Sequence, residues 1–170
     1  MKTTGNTILI TGGGSGIGRE LARELHALGN TVIVAGRTSS SLAETIKDRD
    51  GMHARTLDVG SAQDIARFAA ELVKDFPTLN TLFNNAGIMA KEDWLADPVD
   101  LTITENTITT NLLGPIRLTA ALLPHLRAQP IARVVNVTSG LAYVPLAHTP
   151  AYSATKAGLH AWTQSLRISR

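Results

Sequence analysis

A chain of 170 residues is short enough for a single domain, residues 1–170, and long enough to bury a substantial core. Hydrophobic residues make up 44% and charged residues 18%, which excludes a disordered chain, and no apolar run approaches the roughly 20 residues of a membrane span. The scattered net charge of +2 gives no nucleic-acid footprint, and the lack of cysteine excludes disulfides and cysteine-ligated metal. Between Met1 and Asn6 no signal peptide precedes the first apolar run, so we expect a soluble cytoplasmic protein.

Short apolar runs bounded by glycine or aspartate alternate with longer segments of helical period, which is typical of βαβ units. Each run is too short and too apolar for an exposed helix, so we interpret these runs as strands of a parallel sheet. The five predicted strands are Thr7 to Thr11, Thr31 to Ala35, His53 to Leu57, Thr81 to Asn84 and Arg133 to Thr138. The predicted fold class is α/β, with helices on both faces of the sheet in three layers.

Two of the intervening segments carry apolar residues at helical spacing, and we expect both stripes to pack on the sheet. The first stripe is Ile17, Leu21, Ala22, Leu25 and Leu28, and the second is Ile65, Phe68, Ala69, Leu72, Val73 and Phe76. Gly29 suits the end of the first helix, because glycine takes left-handed backbone angles readily. Ser61 and Asp64 resemble a capping box at the start of the other helix, and Ser39 to Ser41 is typical of an N-cap cluster.

The second half of the chain contains a long helical stretch from about Thr107 to Ala128. Pro115 and Pro124 would each remove a backbone hydrogen bond from it, so we expect a kink or a division into two pieces. A final helix begins near Pro150 or Ala151, because proline suits a first helical position, and is predicted to run to the end of the chain.

A glycine-rich turn, Thr11 to Gly18, lies where a Rossmann fold presents backbone N–H groups and a helix N-terminus to a pyrophosphate. Its spacing, Gly-x-x-x-Gly-x-Gly, differs from the general Gly-x-Gly-x-x-Gly fingerprint but provides the same tight turn and close approach to phosphate. The alternative is a flexible glycine-rich loop without a ligand. The candidate cofactor-binding residues of this turn are Gly12, Gly14, Ser15, Gly16, Ile17 and Gly18.

Arg37 follows the second strand, at the position where such a fold reads the adenosine ribose of its cofactor. An acidic residue there would bind the 2′-hydroxyl of NAD, whereas an arginine beside the small Gly36 can pair with the 2′-phosphate of NADP. The sequence therefore favours NADP(H), with NAD(H) as the alternative. A solvated arginine at a strand end is the other interpretation of this residue.

Tyr152 and Lys156 stand four residues apart in the final helix, so their side chains lie on one face and the ammonium can favour the phenolate. Taken alone, this spacing more often marks a surface lysine over a half-buried tyrosine. Ser139 lies upstream of the pair, at the end of the fifth predicted strand. No histidine has metal-ligand spacing with carboxylates, so no metal site is predicted.

Several motifs in one order make the pattern specific. Asn84-Asn85-Ala86-Gly87 follows the fourth strand, Leu57-Asp58-Val59 ends the third, and the glycine-rich turn reads Thr-Gly-x-x-x-Gly-x-Gly. Together with Ser139, Tyr152 and Lys156 they resemble the classical short-chain dehydrogenase/reductase family. The resemblance implies a doubly wound sheet of strand order 3-2-1-4-5, with the nucleotide across the carboxyl ends of the strands. The cofactor-binding residues that it adds are Asp58, Val59, Asn85, Ala86, Gly87, Tyr152 and Lys156.

The resemblance also implies a catalytic tetrad, Asn111, Ser139, Tyr152 and Lys156, and a small-molecule carbonyl or alcohol substrate. Tyr152 would be the general acid in reduction and the base in oxidation, its pKa lowered by Lys156 and by the positive nicotinamide ring. Lys156 would hold the nicotinamide ribose, Ser139 would hydrogen-bond the carbonyl, and Asn111 would anchor a proton-relaying water. The residue types alone also suit a kinked helix at Asn111, a capped turn at Ser139 and a closed loop after the fourth strand.

Members of this family continue past the active-site helix into further strands and a substrate-covering region that this sequence lacks. We therefore expect a C-terminally shortened fold in which the fifth strand has an open edge. The last helix would lose part of the cover over Leu159, Trp162 and Leu166. Both features predict a homodimer or homotetramer, and no nucleic-acid or membrane partner is expected. The incomplete substrate wall leaves a second hypothesis, a dinucleotide-binding or assembly module without efficient catalysis.

Overall fold

The computed structural model describes residues 3–168, in which one five-stranded parallel sheet carries the fold. The strands are β1 Thr7–Thr11, β2 Thr31–Gly36, β3 Met52–Thr56, β4 Leu79–Asn84 and β5 Arg133–Asn136. They follow the order β3-β2-β1-β4-β5, so the predicted Rossmann-type α/β class and the strand order 3-2-1-4-5 are confirmed. β1 has the predicted bounds, whereas β3 begins and ends one residue earlier and β5 ends two residues earlier than the sequence indicated.

Within the described residues, six α-helices connect and follow the strands. They are α1 Gly16–Ala27, α2 Ser39–Ile46, α3 Ala62–Asp75, α4 Thr102–Ile108, α5 Gly114–Arg127 and α6 Pro150–Ile168. The long helical stretch begins earlier than predicted and is divided, because a π-helical segment, Thr109–Leu113, separates α4 from α5. Pro115 lies in the first turn of α5 and Pro124 lies inside that helix. A short 3₁₀ turn, Gly140–Ala142, follows β5.

Two apolar clusters hold the layers together, one on each face of the sheet. Successive residues of a strand point to opposite faces, so Leu9 joins one cluster while Ile8 and Ile10 join the other. The first cluster packs α3 and α5 on the sheet through Ile65, Phe68, Leu72, Leu118, Leu122 and Leu126. The second packs α1 and α2 through Ala22 and Leu42. This is the three-layer arrangement expected from the alternation of strands and helices.

The predicted apolar stripe of α1 is wrong at both ends. Ile17 is 73% exposed and Leu28 is 48% exposed, whereas Leu21, Ala22 and Leu25 pack against the sheet as expected. Ile17 lies in the first turn of α1, where the helix has passed the carboxyl end of β1 and faces a cavity. Leu28 is the C-cap residue, beyond the last helical turn that reaches the sheet.

The helix ends agree with the sequence in part. Gly29 has the left-handed φ of +81° expected after α1, and Ser61 Oγ accepts the Asp64 N–H at 3.2 Å at the start of α3. The Asp64 carboxylate does not close the capping box, because it accepts the Asp58 N–H at 2.7 Å instead. At α2 the N-cap is Thr38, so Ser39 to Ser41 form the first turn of the helix rather than its cap.

β5 is an edge strand of the described sheet, and all four of its residues are only partly buried. All five residues of β1, at the centre of the sheet, are buried. α6 packs against β5, α4 and the π-helical segment. Leu159 of α6 is fully buried, which corrects the expectation for that residue, while Trp162 and Leu166 are partly buried.

Candidate active site

The turn between β1 and α1 has a backbone that side chains would obstruct. Gly12 and Gly16 have left-handed φ values of +68° and +51°. A Cβ atom on Gly18 would lie 2.3 Å from the Gly12 carbonyl oxygen and 2.4 Å from Asn85 Nδ2. A Cβ on Gly12 would lie 2.9 Å from the Ala86 Cα. The glycines therefore allow the turn to pack directly against the loop after β4.

Thr11 joins the same two loops by hydrogen bonds. Its Oγ1 accepts the backbone N–H groups of Asn85 and Ala86, both at 3.1 Å, and donates to the Phe83 carbonyl at 3.3 Å. In return, Asn85 Nδ2 donates to the Thr11 carbonyl at 2.9 Å. The Asn85 side chain thus joins the loop after β4 to the end of β1.

Two residues that the sequence did not single out, Arg19 in α1 and Thr45 in α2, support the turn. Thr45 Oγ1 donates to the Gly13 carbonyl at 3.0 Å. Arg19 donates from Nε to Thr45 Oγ1 at 3.2 Å. Its Nη2 donates to the Gly14 carbonyl. These contacts fix the Gly13 and Gly14 carbonyls of the turn.

A cavity of about 430 Å³ lies over the carboxyl ends of the strands. Its lining includes the twelve predicted cofactor-binding residues that precede the tetrad: Gly12, Gly14, Ser15, Gly16, Ile17, Gly18, Arg37, Asp58, Val59, Asn85, Ala86 and Gly87. It also includes residues that sequence reasoning missed: Thr38, Ser41, Leu42, Ile88 and Thr110. Thr38 and Ser41 follow Arg37 closely in the sequence. Hydroxyl side chains so near a candidate phosphate-binding arginine could have indicated that they also line the cavity.

The residues present fit a dinucleotide. Ser15, the N-cap residue of α1, makes no capping hydrogen bond with its side chain, so its hydroxyl is available beside the positive end of the helix. A Cβ on Gly16, which lines the cavity, would meet nothing within 4 Å, so the turn is open there. Arg37 is exposed at the cavity wall, and residues 3–168 provide it with no carboxylate within ion-pair distance.

Asn111 lies in the π-helical segment and is fully buried. Its Oδ1 accepts the Ile88 N–H and its Nδ2 donates to the Ile88 carbonyl, both at 2.8 Å. The side chain therefore fixes the cavity-lining loop after β4. The main-chain carbonyl of Asn111 lacks the usual helical donor at i+4, because that residue is Pro115.

Lys156 is buried and extends from α6 toward the loops after β4 and β5. Its Nζ donates to the Val137 carbonyl at 2.7 Å and lies 5.7 Å from the centre of the Tyr152 ring. A Cβ on Gly87, in the cavity wall, would lie 3.7 Å from the same Nζ. Burial lowers the pKa of Lys156 below its usual value of 10.5. Lys156 thus lies beside Tyr152 and behind the cavity-wall residue Gly87, while neither Tyr152 nor Lys156 itself lines the cavity.

Ser139 follows β5 by three residues, in the loop rather than at the strand end. Its Oγ accepts the Leu141 N–H at 3.1 Å and caps the 3₁₀ turn. This contact uses a lone pair of the oxygen and leaves the hydroxyl proton to be donated elsewhere. Ser139 is therefore both a turn cap and a candidate donor.

Neither a membrane-spanning helix nor a metal-binding cluster is found in residues 3–168. No helix in this part of the chain has the length and hydropathy to cross a membrane. The same residues contain no cluster of three or more His, Asp or Glu side chains that could hold a metal ion.

Comparison with known proteins gives consistent matches. The family model for short chain dehydrogenase matches residues 6–169. The uncharacterized oxidoreductase DltE of Bacillus subtilis is 44% identical over 98% of this chain and 66% of its own length. A short-chain dehydrogenase structure from Streptomyces avermitilis has 32% identity and a TM-score of 0.88 over 98% of this chain and 61% of its own. A solved F189W actinorhodin polyketide ketoreductase with NADPH has 30% identity and a TM-score of 0.88 over 97% and 65%. The chain spans less than two thirds of each of these proteins.

Proposed function

Because this chain belongs to the short-chain dehydrogenase family, we propose that it is an NADP(H)-dependent oxidoreductase that interconverts a carbonyl and a secondary alcohol. One observation carries the proposal. The Lys156 Nζ lies 5.7 Å from the Tyr152 ring centre and beside Gly87 of the dinucleotide-sized cavity. A proton donor with an adjacent buried cation, set at the edge of a cofactor cavity, suits hydride transfer coupled to proton transfer.

Arg37 and its neighbours support NADP(H) over NAD(H). Its exposed guanidinium lines the cavity, next to the hydroxyls of Thr38 and Ser41, and these groups can donate to a 2′-phosphate. The related ketoreductase was solved with NADPH, which is consistent with this choice. NAD(H) stays the alternative within the same enzyme class.

Each tetrad residue has a proposed part in the reaction. The nicotinamide, when bound, supplies or accepts the hydride. Tyr152 gives its phenolic proton to the carbonyl oxygen in reduction and takes a proton from the alcohol in oxidation. Lys156 favours the phenolate by its charge, and Ser139 donates a hydrogen bond to the same substrate oxygen. The Asn111 carbonyl holds the water that returns protons from solvent.

The test is NADPH consumption by the purified protein with a panel of aldehydes and ketones, followed by absorbance. The chain has two tyrosines, so Tyr152→Phe has a matched control in Tyr143→Phe. We expect Tyr152→Phe to lower turnover by a factor of about 10² to 10⁴ and Tyr143→Phe to retain it. Equal rates for Tyr152→Phe and the wild type would refute the enzyme function.

A second candidate, a dinucleotide-binding or assembly module without efficient catalysis, has an observation of its own. The loop after Ser139 exposes 66% of Tyr143 and 73% of Val144, so on the substrate side the described residues form little enclosure. Small errors in substrate position are costly to rate. Titration calorimetry showing NADPH binding in the absence of turnover would favour this candidate, whereas turnover at ordinary enzyme rates would reject it.

We also propose that the chain forms a homodimer or homotetramer and acts in the cytoplasm. The edge strand β5 and the partly exposed Trp162 offer surface for association. Light scattering coupled to size-exclusion chromatography measures the mass, and a monomer at every concentration tested would contradict the assembly.

A further inference from the structure

Glu92, in the loop after β4, connects three separate parts of the chain. Its Oε1 accepts the N–H of Ala151 at 2.8 Å, and its Oε2 accepts the hydroxyl of Thr104 at 2.5 Å. Its own backbone N–H donates to the His148 carbonyl at 3.0 Å. The loop after β4 is therefore joined to α4, to the segment before α6 and to the first turn of α6 itself.

The first turn of α6 contains Tyr152 and needs such a contact. The first N–H groups of a helix have no intrahelical acceptor, and here the Ser153 N–H donates to the Thr149 carbonyl while the Ala151 N–H has only Glu92. A Thr before the first helical turn usually provides the cap with its own hydroxyl. The Thr149 hydroxyl is buried and has no hydrogen-bond partner within residues 3–168. The carboxylate of Glu92 therefore replaces the local cap, at the end of the helix where a negative charge is favourable.

We propose that Glu92 is a positioning residue that fixes the first turn of α6 and so places the Tyr152 hydroxyl for proton transfer, a role that rests on the proposed function. The loop that carries Glu92 begins with Asn85 to Ile88, which line the cofactor cavity. Glu92 thus couples the backbone beneath the cofactor to the position of the catalytic phenol.

The kinetic test compares Glu92→Ala with Glu92→Gln. Alanine removes both acceptors, and we expect kcat to fall about tenfold to a hundredfold while the Kd for NADPH stays unchanged. Glutamine can accept from Ala151 and donate to the Thr104 hydroxyl, so we expect kcat within about threefold of the wild type. Unchanged kcat for Glu92→Ala, or a loss explained entirely by a smaller folded fraction, would overturn the proposal. If Glu92→Ala does not fold, Thr104→Val can be used instead, because it removes one of the two contacts of the carboxylate. It should lower kcat about twofold to fivefold, and an unchanged kcat would overturn the proposal.

Hydrogen exchange of the α6 backbone, followed by mass spectrometry, gives a result that does not depend on turnover. We expect the segment Ala151 to Ser153 to exchange about fivefold to tenfold faster in Glu92→Ala than in the wild type. Thr149→Val is the matched control, because the hydroxyl that it removes has no partner, and its exchange and kcat should stay at the wild-type values. If the wild type itself shows no turnover, the proposed function fails, and the exchange rates still decide the role of Glu92. Equal rates in Glu92→Ala and the wild type would refute it.

Discussion

The cofactor end and the catalytic end of the cleft are built in different ways. At the cofactor end, the loops after β1 and β4 belong to buried neighbouring strands and are joined by Thr11, whose single hydroxyl accepts two backbone N–H groups. At the proposed catalytic end, Ser139 and Tyr152 follow the partly buried edge strand β5, and Glu92 contacts Ala151 in the helix turn that carries Tyr152. The contacts at the first end join the loops of two adjacent, buried strands, whereas those at the second join a loop to the start of α6 and to α4 beside an edge strand.

Because the two ends are held by different contacts, we expect cofactor affinity and turnover to be lost separately. Cofactor affinity should follow the packing of the glycine-rich turn, and turnover should follow the loops after β4 and β5. Substitutions at one end are therefore expected to leave the measured property of the other end nearly unchanged. Substitutions at each end test whether turnover, cofactor selectivity and stability change independently of one another.

Among these substitutions, the largest loss of turnover is expected for Ser139→Ala, at the catalytic end. Loss of a hydrogen-bond donor to the developing oxyanion should lower kcat by a factor of about 10² to 10³. Ser139→Thr keeps the hydroxyl and should retain most of the activity. NADPH titration should give wild-type affinity for both variants, and a parallel loss of affinity in Ser139→Ala would break the separation of the two ends.

Thr11→Val tests the cofactor end. Valine keeps the shape of the side chain but leaves the backbone N–H groups of Asn85 and Ala86 without their acceptor. We expect the free energy of unfolding to fall by about 2 kcal/mol, as measured by urea denaturation. Thr11→Ser restores the oxygen and should recover most of this loss. If Thr11→Val were as stable as the wild type, the joining role of this hydroxyl would be wrong.

Arg37→Ala should change the choice of cofactor rather than the fold. Loss of a charge-assisted contact with the 2′-phosphate should reduce the preference for NADP over NAD by about tenfold. Calorimetric titration with both cofactors measures the ratio. Arg127 is exposed and lies outside the cavity lining, so Arg127→Ala serves as the control. An unchanged ratio in Arg37→Ala would remove Arg37 from cofactor recognition.

The smallest effect is a pH dependence of stability at Lys156. Because burial lowers the pKa of Lys156 below 10.5, the folded protein binds fewer protons than the unfolded chain between the lowered pKa and 10.5. The free energy of unfolding that this residue contributes should therefore rise with pH across that interval. Urea denaturation at a series of alkaline pH values should show a smaller rise for Lys156→Met than for the wild type. Lys91→Met, at an exposed loop position, is the control, and identical slopes in all three proteins would contradict the prediction.

The strands and the glycine-rich turn could be predicted because local sequence patterns indicate them. Thr7 to Thr11 is an apolar run with glycine directly after it, and its bounds agree with β1. Helical spacing indicates which residues share a face of a helix, but not where the helix extends past the end of the sheet. The predicted stripe of α1 was therefore wrong at Ile17. Prolines indicated the division of the long helix, but the sequence did not predict that a π-helical segment would make it.

Other parts of the site depend on long-range contacts that no local pattern contains. Arg19 and Thr45 support the glycine-rich turn from different helices, 26 residues apart. Glu92 meets Ala151 across 59 residues, in a loop that the sequence marks only as polar. Asn111 was predicted to anchor a water, but nothing in the sequence indicated that its side chain would hold both polar groups of Ile88.

The π-helical segment, Thr109–Leu113, gives this region an unusual sensitivity to chain length. A π turn contains one residue more than an α turn, so it offsets the faces of the two flanking helices by roughly 100°. This offset lets α4 pack on α6 while α5 packs on α3. We expect deletion of one residue from the segment to rotate α4 relative to α5 and turn Thr104 away from Glu92, although every remaining side chain would be unchanged. We therefore expect a change in the number of residues here to be more damaging than most single substitutions on the exposed face of α4.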